Sequence, residues 1–235
     1  MKAFVLAAGR ARRLYPLTKD TPKCLLRVGE RTLLERQVAL LRSCGVDDIT
    51  VVTGHHAEKI QRVLGKSVKY VYNPYFAATA DIVSLWCVRK LMRGTFLYLH
   101  GDVLFSGIIL ERLLERDGRG VRVAVDRKPC DAEDEKVKVA GDLVVEIGKT
   151  IPPAEAYGEF IGIARVSEEA APRLREALEF LVDDGRLEVQ CVEAIQRLID
   201  QGSQISMCGI EGLPWMEIDF YRDFEEAIQN AHLFE

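Results

Sequence analysis

Through the first half of the chain, runs of almost unbroken apolar residues alternate with stretches whose apolar positions recur every three to four residues. Strand and helix cannot share one hydrophobic period, so this alternation predicts βαβ units and a mainly parallel sheet with helices on both faces. Residues 2–8 form the clearest strand, apolar at nearly every position as a strand covered on both sides requires. Leu33, Leu34, Val38 and Leu41 then recur at helical spacing, and Gly45 stops the helix. Further strands are expected over 49–53, 68–72, 95–99 and 121–125, with helices over 57–64, 80–92 and 108–114 between them.

From residue 136 the pattern changes. Two short strands, 136–139 and 143–147, meet at Gly141-Asp142 as a hairpin, and a strand over 159–166 feeds an amphipathic helix over 167–182. A helix with Val192, Ile195, Leu198 and Ile199 on one face, a strand over 205–210, the segment 215–219 and a helix over 221–231 follow. The expected fold is a doubly wound, Rossmann-like α/β sheet with a small β-rich insertion. With no repeat, low-complexity stretch or linker, residues 1–235 read as a single domain.

The chain has 48% hydrophobic and 29% charged residues, enough to bury a core and too much for disorder. Lys and Arg number 32 against 36 Asp and Glu, a net charge of −4, so no overall basic field draws in nucleic acid or anionic lipid. A phosphate-bearing ligand must be caught by a local cluster of positive charge. No apolar run approaches the length of about 20 residues that spans a membrane. The first apolar run is also too short for a secretory signal, which points to the cytoplasm, where the six dispersed cysteines stay reduced. A homodimer is compatible with all of these features.

Gly65-Lys66-Ser67 and Gly148-Lys149-Thr150 imitate a P-loop, but Ile60 and Leu143 stand where its other glycine belongs. The informative segment follows the first strand: Leu6-Ala7-Ala8-Gly9-Arg10-Ala11-Arg12-Arg13-Leu14, then Pro16-Leu17-Thr18 and Pro22-Lys23. Small residues there let backbone amides approach phosphate closely, and five cations lie between Arg10 and Lys23. Asp102 sits at the carboxyl end of a central strand, where open α/β sheets place their ligand chemistry. Alone, Asp102 could cap a turn, and Asp219 the last helix.

Gly9, Arg13, Leu14, Pro22 and Lys23 together resemble the opening motif of the sugar-phosphate nucleotidyltransferase superfamily. Ala11 and Arg12 replace its second glycine and small hydroxyl residue, and Ala11 can serve there only if its backbone avoids a positive φ. The resemblance implies transfer of a nucleotidyl group with Mg²⁺ held by Asp102 and Asp219. It makes Arg13 and Lys23 the catalytic cations, and Leu6, Ala7, Ala8, Gly9, Ala11, Arg12, Asp81 and Ser84 the nucleotide-binding set. Lys149 matches the place that holds the acceptor phosphate.

Asn73-Pro74-Tyr75-Phe76, Asp81 and Ser84-Leu85 resemble the branch that uses CTP to activate phosphocholine, 2-aminoethylphosphonate and related phospho- or phosphono-alcohols, although Ala80-Asp81 replaces its usual Asn-Asn. The segments 134–138, 158–162 and 217–219 point the same way. A cationic acceptor calls for aromatic faces and carboxylates, which makes Tyr157, Glu159, Trp215 and Glu217 the acceptor-side candidates. The expected partners are CTP and such a small phosphorylated alcohol or phosphonate. The alternatives are a hexose-1-phosphate nucleotidyltransferase, an inositol or glycerol phosphate cytidylyltransferase, and a non-catalytic nucleotide-binding regulatory module.

Overall fold

The computed structural model describes residues 1–115 and 118–234. In chain order the elements are β1 (Lys2–Ala7), β2 (Arg27–Val28), β3 (Arg31–Thr32), α1 (Leu33–Ser43), β4 (Asp48–Thr53), α2 (Ala57–Leu64), β5 (Lys69–Tyr72), α3 (Asp81–Cys87), β6 (Phe96–His100) and β7 (Val103–Phe105). Then come α4 (Gly107–Leu114), β8 (Val121–Asp126), β9 (Lys136–Ala140), β10 (Leu143–Gly148), β11 (Gly158–Val166), α5 (Ala171–Asp183), α6 (Val192–Asp200), β12 (Ile205–Gly209), β13 (Trp215–Glu217) and α7 (Tyr221–Gln229). None of these helices is long and apolar enough to cross a membrane.

Nine strands form one sheet in the order β5-β4-β1-β6-β11-β8-β12-β10-β9. Only β11 and β10 run against the rest, so the sheet is mainly parallel in direction but mixed in its pairings. All nine residues of β11 are buried, and a strand covered on both faces reads alike in either direction. The start of β11 also pairs with β9, which closes a circuit of pairings through β8, β12 and β10. The β-rich insertion therefore continues the main sheet.

Side chains alternate across β1 as the pleat requires. Phe4 and Leu6 join α3, α5 and α6 on one face, while Ala3, Val5 and Ala7 join α1, α2 and α4 on the other. A third cluster brings together Leu14, Leu26, Val28, Leu33, Leu104, Ile218, Ala227 and Phe234. It staples the basic loop after β1 to β7, β13 and α7; each such burial contributes roughly 1.5–3 kcal/mol. Thr32 and Glu35 close a reciprocal capping box that starts α1 sharply.

Two helices are shorter than the periodicity predicts. The expected helix over 80–92 splits into α3 and a 3₁₀ turn, Arg89–Leu91. The one over 167–182 starts only at Ala171, because Pro172 fits the first turn but would break a helix already running.

Candidate active site

A cleft of about 830 Å³ opens over the carboxyl ends of β1 and β6. Gly101 lets the two strand ends meet: its N–H donates to the Leu6 carbonyl at 2.9 Å, and a Cβ there would lie 2.7 Å from that oxygen. Asp102 is thereby set beside the loop after β1. Its distant partner arrives through the β7–β13 ribbon, which pairs Val103 with Glu217 and lets the Ile218 N–H donate to the Asp102 carbonyl at 3.2 Å. Asp219 follows directly.

The Lys23 ammonium sits between these acids, 2.7 Å from Asp102 Oδ2 and 2.7 Å from Asp219 Oδ1. Arg13 holds the other oxygen of Asp219 at 2.5 Å and lies over the Phe220 ring. Burial alone would lower the Lys23 pKa, but the charges of Asp102, Asp219 and Glu217 outweigh it and raise it. Burial would likewise raise Asp102, yet Lys23 and His100 hold it below its ordinary value. Glu217 has surface open to the cleft, but the protein crowding its carboxyl and the charges of Asp102 and Asp219 push it up to about 7.

Asp102, Glu217 and Asp219 each bring a carboxylate oxygen within 4.8 Å of the others, the donor set of a hard divalent cation. Asp102 Oδ1 is buried without a hydrogen-bond partner, so the set has an unsatisfied acceptor to offer. Neither aspartate caps a helix: the Asp219 and Phe220 N–H groups donate to Asp223 at 3.0 and 2.7 Å, which leaves the Asp219 carboxylate for Lys23 and Arg13.

Leu6, Ala7, Ala8, Gly9, Ala11 and Arg13 line the cleft as expected, and Arg12 does not; its side chain is exposed outside. Ala11 departs from expectation. Its φ is 48°, the left-handed region that glycine takes at no steric cost. The Ala11 carbonyl is held there by the Thr18 hydroxyl at 2.7 Å and the Leu14 N–H at 3.1 Å.

Asp81 and Ser84 also line the cleft but are already engaged. Asp81 Oδ2 is 3.2 Å from His100 Nε2, and Oδ1 accepts the Cys191 N–H at 2.9 Å. Ser84 Oγ accepts from Asn73 Nδ2 at 3.0 Å. His100 packs against Gly162, where a bulge in β11 and the lack of a side chain make room for its ring. Burial would lower the imidazole, but Cys191, Asp81 and Glu135 carry it well above its ordinary range.

Glu159, Trp215, Glu217 and Lys149 also line the cleft. Tyr157 does not: its ring lies under Arg127 and its hydroxyl reaches Glu211 at 3.4 Å. Sequence reasoning did not pick out Lys128, which contacts Glu159 at 2.5 Å and lies 5.6 Å from the Trp215 ring centroid. The indole N–H of Trp215 donates to Asp126 at 2.9 Å. Lys136 is fully buried, and its ammonium donates to the Asp131, Ala132 and Asp134 carbonyls at 2.9, 3.2 and 3.0 Å, so it folds the acidic loop around itself. Only the density of charge in 126–136 could have signalled these roles.

A basic loop faces clustered carboxylates over the ends of parallel strands, an arrangement with the charges to hold and align phosphate groups. The chain belongs to the MobA-like NTP transferase domain family, which it matches over residues 3–134. It is 26% identical to the CTP:phosphoglutamine cytidylyltransferase of Campylobacter jejuni, over 97% of this chain and 100% of that one. It is 31% identical to the choline-phosphate cytidylyltransferase of Streptococcus pneumoniae, over 72% and 79% of the two chains. Against the bifunctional IPC transferase and DIPP synthase of Rubrobacter xylanophilus the identity is 32% over 94% of this chain, which spans half of that protein.

Among solved structures, the CTP:phosphocholine cytidylyltransferase LicC of S. pneumoniae superposes with a TM-score of 0.83 at 23% identity, covering 98% of each chain. The inositol-1-phosphate CTP transferase of T. maritima gives a TM-score of 0.80 at 22% identity, covering 96% of this chain and 94% of that one. The expected nucleotidyltransferase family and its Rossmann-like α/β fold are both borne out.

Proposed function

We propose that the chain is a cytoplasmic, single-domain, Mg²⁺-dependent cytidylyltransferase. It would transfer CMP from CTP to a small phosphorylated alcohol or phosphonate of the phosphocholine or 2-aminoethylphosphonate type and release pyrophosphate. The observation that carries this reading is the Lys23 ammonium gripped by Asp102 and Asp219 at the mouth of the β1 loop. The choice of CTP draws support from relatives whose names specify cytidylyl transfer.

An oxygen of the acceptor phosphate or phosphonate attacks the α-phosphorus of CTP and forms a new P–O–P bond. The bond from that phosphorus to the α–β bridging oxygen breaks, and pyrophosphate leaves with the electron pair. Both reactants are anions, so the protein must neutralise and align them. Asp102, Asp219 and Glu217 would hold Mg²⁺, which supplies positive charge to the phosphates when bound. Lys23, released from its two carboxylates, bridges the α-phosphate and the acceptor phosphate. Arg13 turns from Asp219 toward the leaving pyrophosphate, the backbone of residues 6–11 cradles the nucleotide, and Lys149 meets the acceptor phosphate.

Pyrophosphate release with Mg²⁺ tests this, crossing the four triphosphates with phosphocholine, phosphoethanolamine, 2-aminoethylphosphonate, inositol 1-phosphate, glycerol phosphate and glucose 1-phosphate, with Asp102→Asn as blank. Signal confined to CTP with an amino-alcohol phosphate or phosphonate is expected. Signal with UTP or dTTP and glucose 1-phosphate would replace the substrate assignment, and silence throughout would favour a nucleotide-binding regulator.

A further inference from the structure

Glu135 has only 9% of its surface exposed, and that part lines the cleft. Among the described residues its carboxylate has neither a hydrogen bond nor an ion pair, whereas the other buried carboxylate, Glu159, is clamped by Lys128 at 2.5 Å. His100 and Lys149 act on Glu135 only through space, and Asp81 and Glu217 add like charge to its surroundings. Ionising such a carboxyl inside a folded protein is costly, so it gives up its proton readily only when a cation arrives to pair with it. Its position is deliberate: the loop before it is wrapped around the Lys136 ammonium, and the Glu135 carbonyl accepts the Phe160 N–H at 2.8 Å. The carboxylate is thus held at the wall of the cleft, where a bound ligand would meet it.

The partner must be cationic, and the cleft shows which kind of cation. A quaternary ammonium has no N–H to donate and needs free aromatic faces. Four aromatic rings besides His100 line the cleft, and each is already taken. Lys128 lies over Trp215, Arg10 over Phe76, and Arg13 and Arg222 over Phe220, while Phe160 packs edge-on against Tyr98 and His100. Among the described residues each ring lining the cleft already has a cation or another ring against it, whereas the Glu135 carboxylate has no hydrogen bond.

We infer that Glu135 binds a primary ammonium on the acceptor, so that the substrates are small aminoalkyl phosphates or phosphonates and not their quaternary counterparts. This rests on the cytidylyltransferase reading above. The acceptor would span the cleft with its phosphorus end at Lys149 and Lys23 and its amine at Glu135. The carboxylate that this leaves unpaired in the free protein costs stability, which the bound amine restores.

Three acceptors of matched length test it with CTP and Mg²⁺: phosphoethanolamine, phosphocholine and 2-hydroxyethyl phosphate. The wild type should prefer phosphoethanolamine to both others in kcat/KM by roughly tenfold or more. Glu135→Gln should collapse that preference toward unity, chiefly through KM of the amine, and should raise the melting temperature of the free protein. Glu135→Asp, which keeps the charge, should recover part of the preference.

Preference for phosphocholine, or a Glu135→Gln variant that melts lower with its preference intact, would overturn the inference while cytidylyl transfer stands. Faster turnover of the hydroxyl compound would do the same. Turnover only with another triphosphate, or with none, would overturn the cytidylyltransferase reading, and the inference with it.

Discussion

The two ends of the cleft handle charge in opposite ways. At the β1 loop, Lys23 joins Asp102 and Asp219, and Arg13 takes the remaining oxygen of Asp219, so the charges are matched before any substrate arrives. At the β9–β11 end, Lys128 pairs with Glu159, whereas Glu135 has no hydrogen bond or ion pair among the described residues and meets His100 and Lys149 only through space. The first end is an assembled set of cations and carboxylates, which under the proposed function phosphates and a metal would rearrange. The second is a cast of a missing positive charge. In the proposed reading, the first arrangement serves the chemistry of nucleotidyl transfer and the second serves selection of the acceptor.

The strongest way to break this division is to disarm the assembled end. Asp102→Asn and Asp219→Asn should each lower kcat by about a thousandfold at saturating CTP while circular dichroism shows an intact fold, since each removes a charged carboxylate from the proposed metal site. A variant near the wild-type rate at limiting Mg²⁺ would remove that residue from the metal site. Lys23→Met should cost on the order of a hundredfold in kcat, because the cation that aligns both phosphates is lost. An effect confined to KM of the acceptor would instead assign Lys23 to acceptor binding alone.

Smaller effects sharpen the second end. Lys128→Ala uncovers the Trp215 face and frees Glu159, so the ratio of phosphocholine to phosphoethanolamine turnover should rise by about tenfold. An unchanged ratio would show that Lys128 does not guard that ring.

Burial lifts Glu135 to about 8 and Glu159 to about 7, against an ordinary value of 4.5. In the unfolded chain both lose their protons near that ordinary value, whereas the folded protein keeps them to higher pH. Their contribution is therefore fully present below pH 4.5 and is lost as the pH rises toward 7 and 8, by at most about 1.4 kcal/mol per pH unit for each group. The melting temperature should fall between pH 5 and 8, and Glu135→Gln should flatten that fall. A melting temperature that climbs with pH over this range would contradict the burial of these carboxylates.

The β1 loop carries the smallest expected effect. Ala11→Gly relieves a left-handed alanine and should stabilise the fold by about 0.5–1 kcal/mol in urea unfolding. No gain would mean that the bonds from Thr18 and Leu14 already offset the strain.

The same contrast governs what could be read from sequence. The nucleotide end lies in one contiguous loop after an apolar strand, so Gly9, Arg13 and Lys23 stood out, and resemblance supplied Asp102 and Asp219. Their meeting depends on the β7–β13 ribbon, whose three-residue strands have no periodicity to show. The acceptor end is assembled from β8, the loop before β9, β11 and β13, and the pairing that joins β9 to β11 leaves no mark in local pattern. Glu159 and Trp215 are legible as acceptor-side candidates, whereas Glu135 is marked only as part of the branch-like segment 134–138 and Lys128 not at all. Tyr157 was misplaced because its aromatic character gives no sign of which side of the sheet its ring covers. Arg12 continued a run of cations yet faces solvent, and Ala11 took a glycine's conformation because the loop demands a turn there whatever residue occupies it.

The central claim is that this cleft joins CTP to an aminoalkyl phosphate or phosphonate, and ³¹P NMR of the enzyme with MgCTP and 2-aminoethylphosphonate tests it most directly. The account predicts that the triphosphate signals give way to pyrophosphate and two coupled phosphorus signals, one from the cytidylyl phosphate and one from the phosphonate. CMP and pyrophosphate with the phosphonate signal unmoved, or a mixture left unchanged beside a working UTP and glucose 1-phosphate reaction, would contradict it.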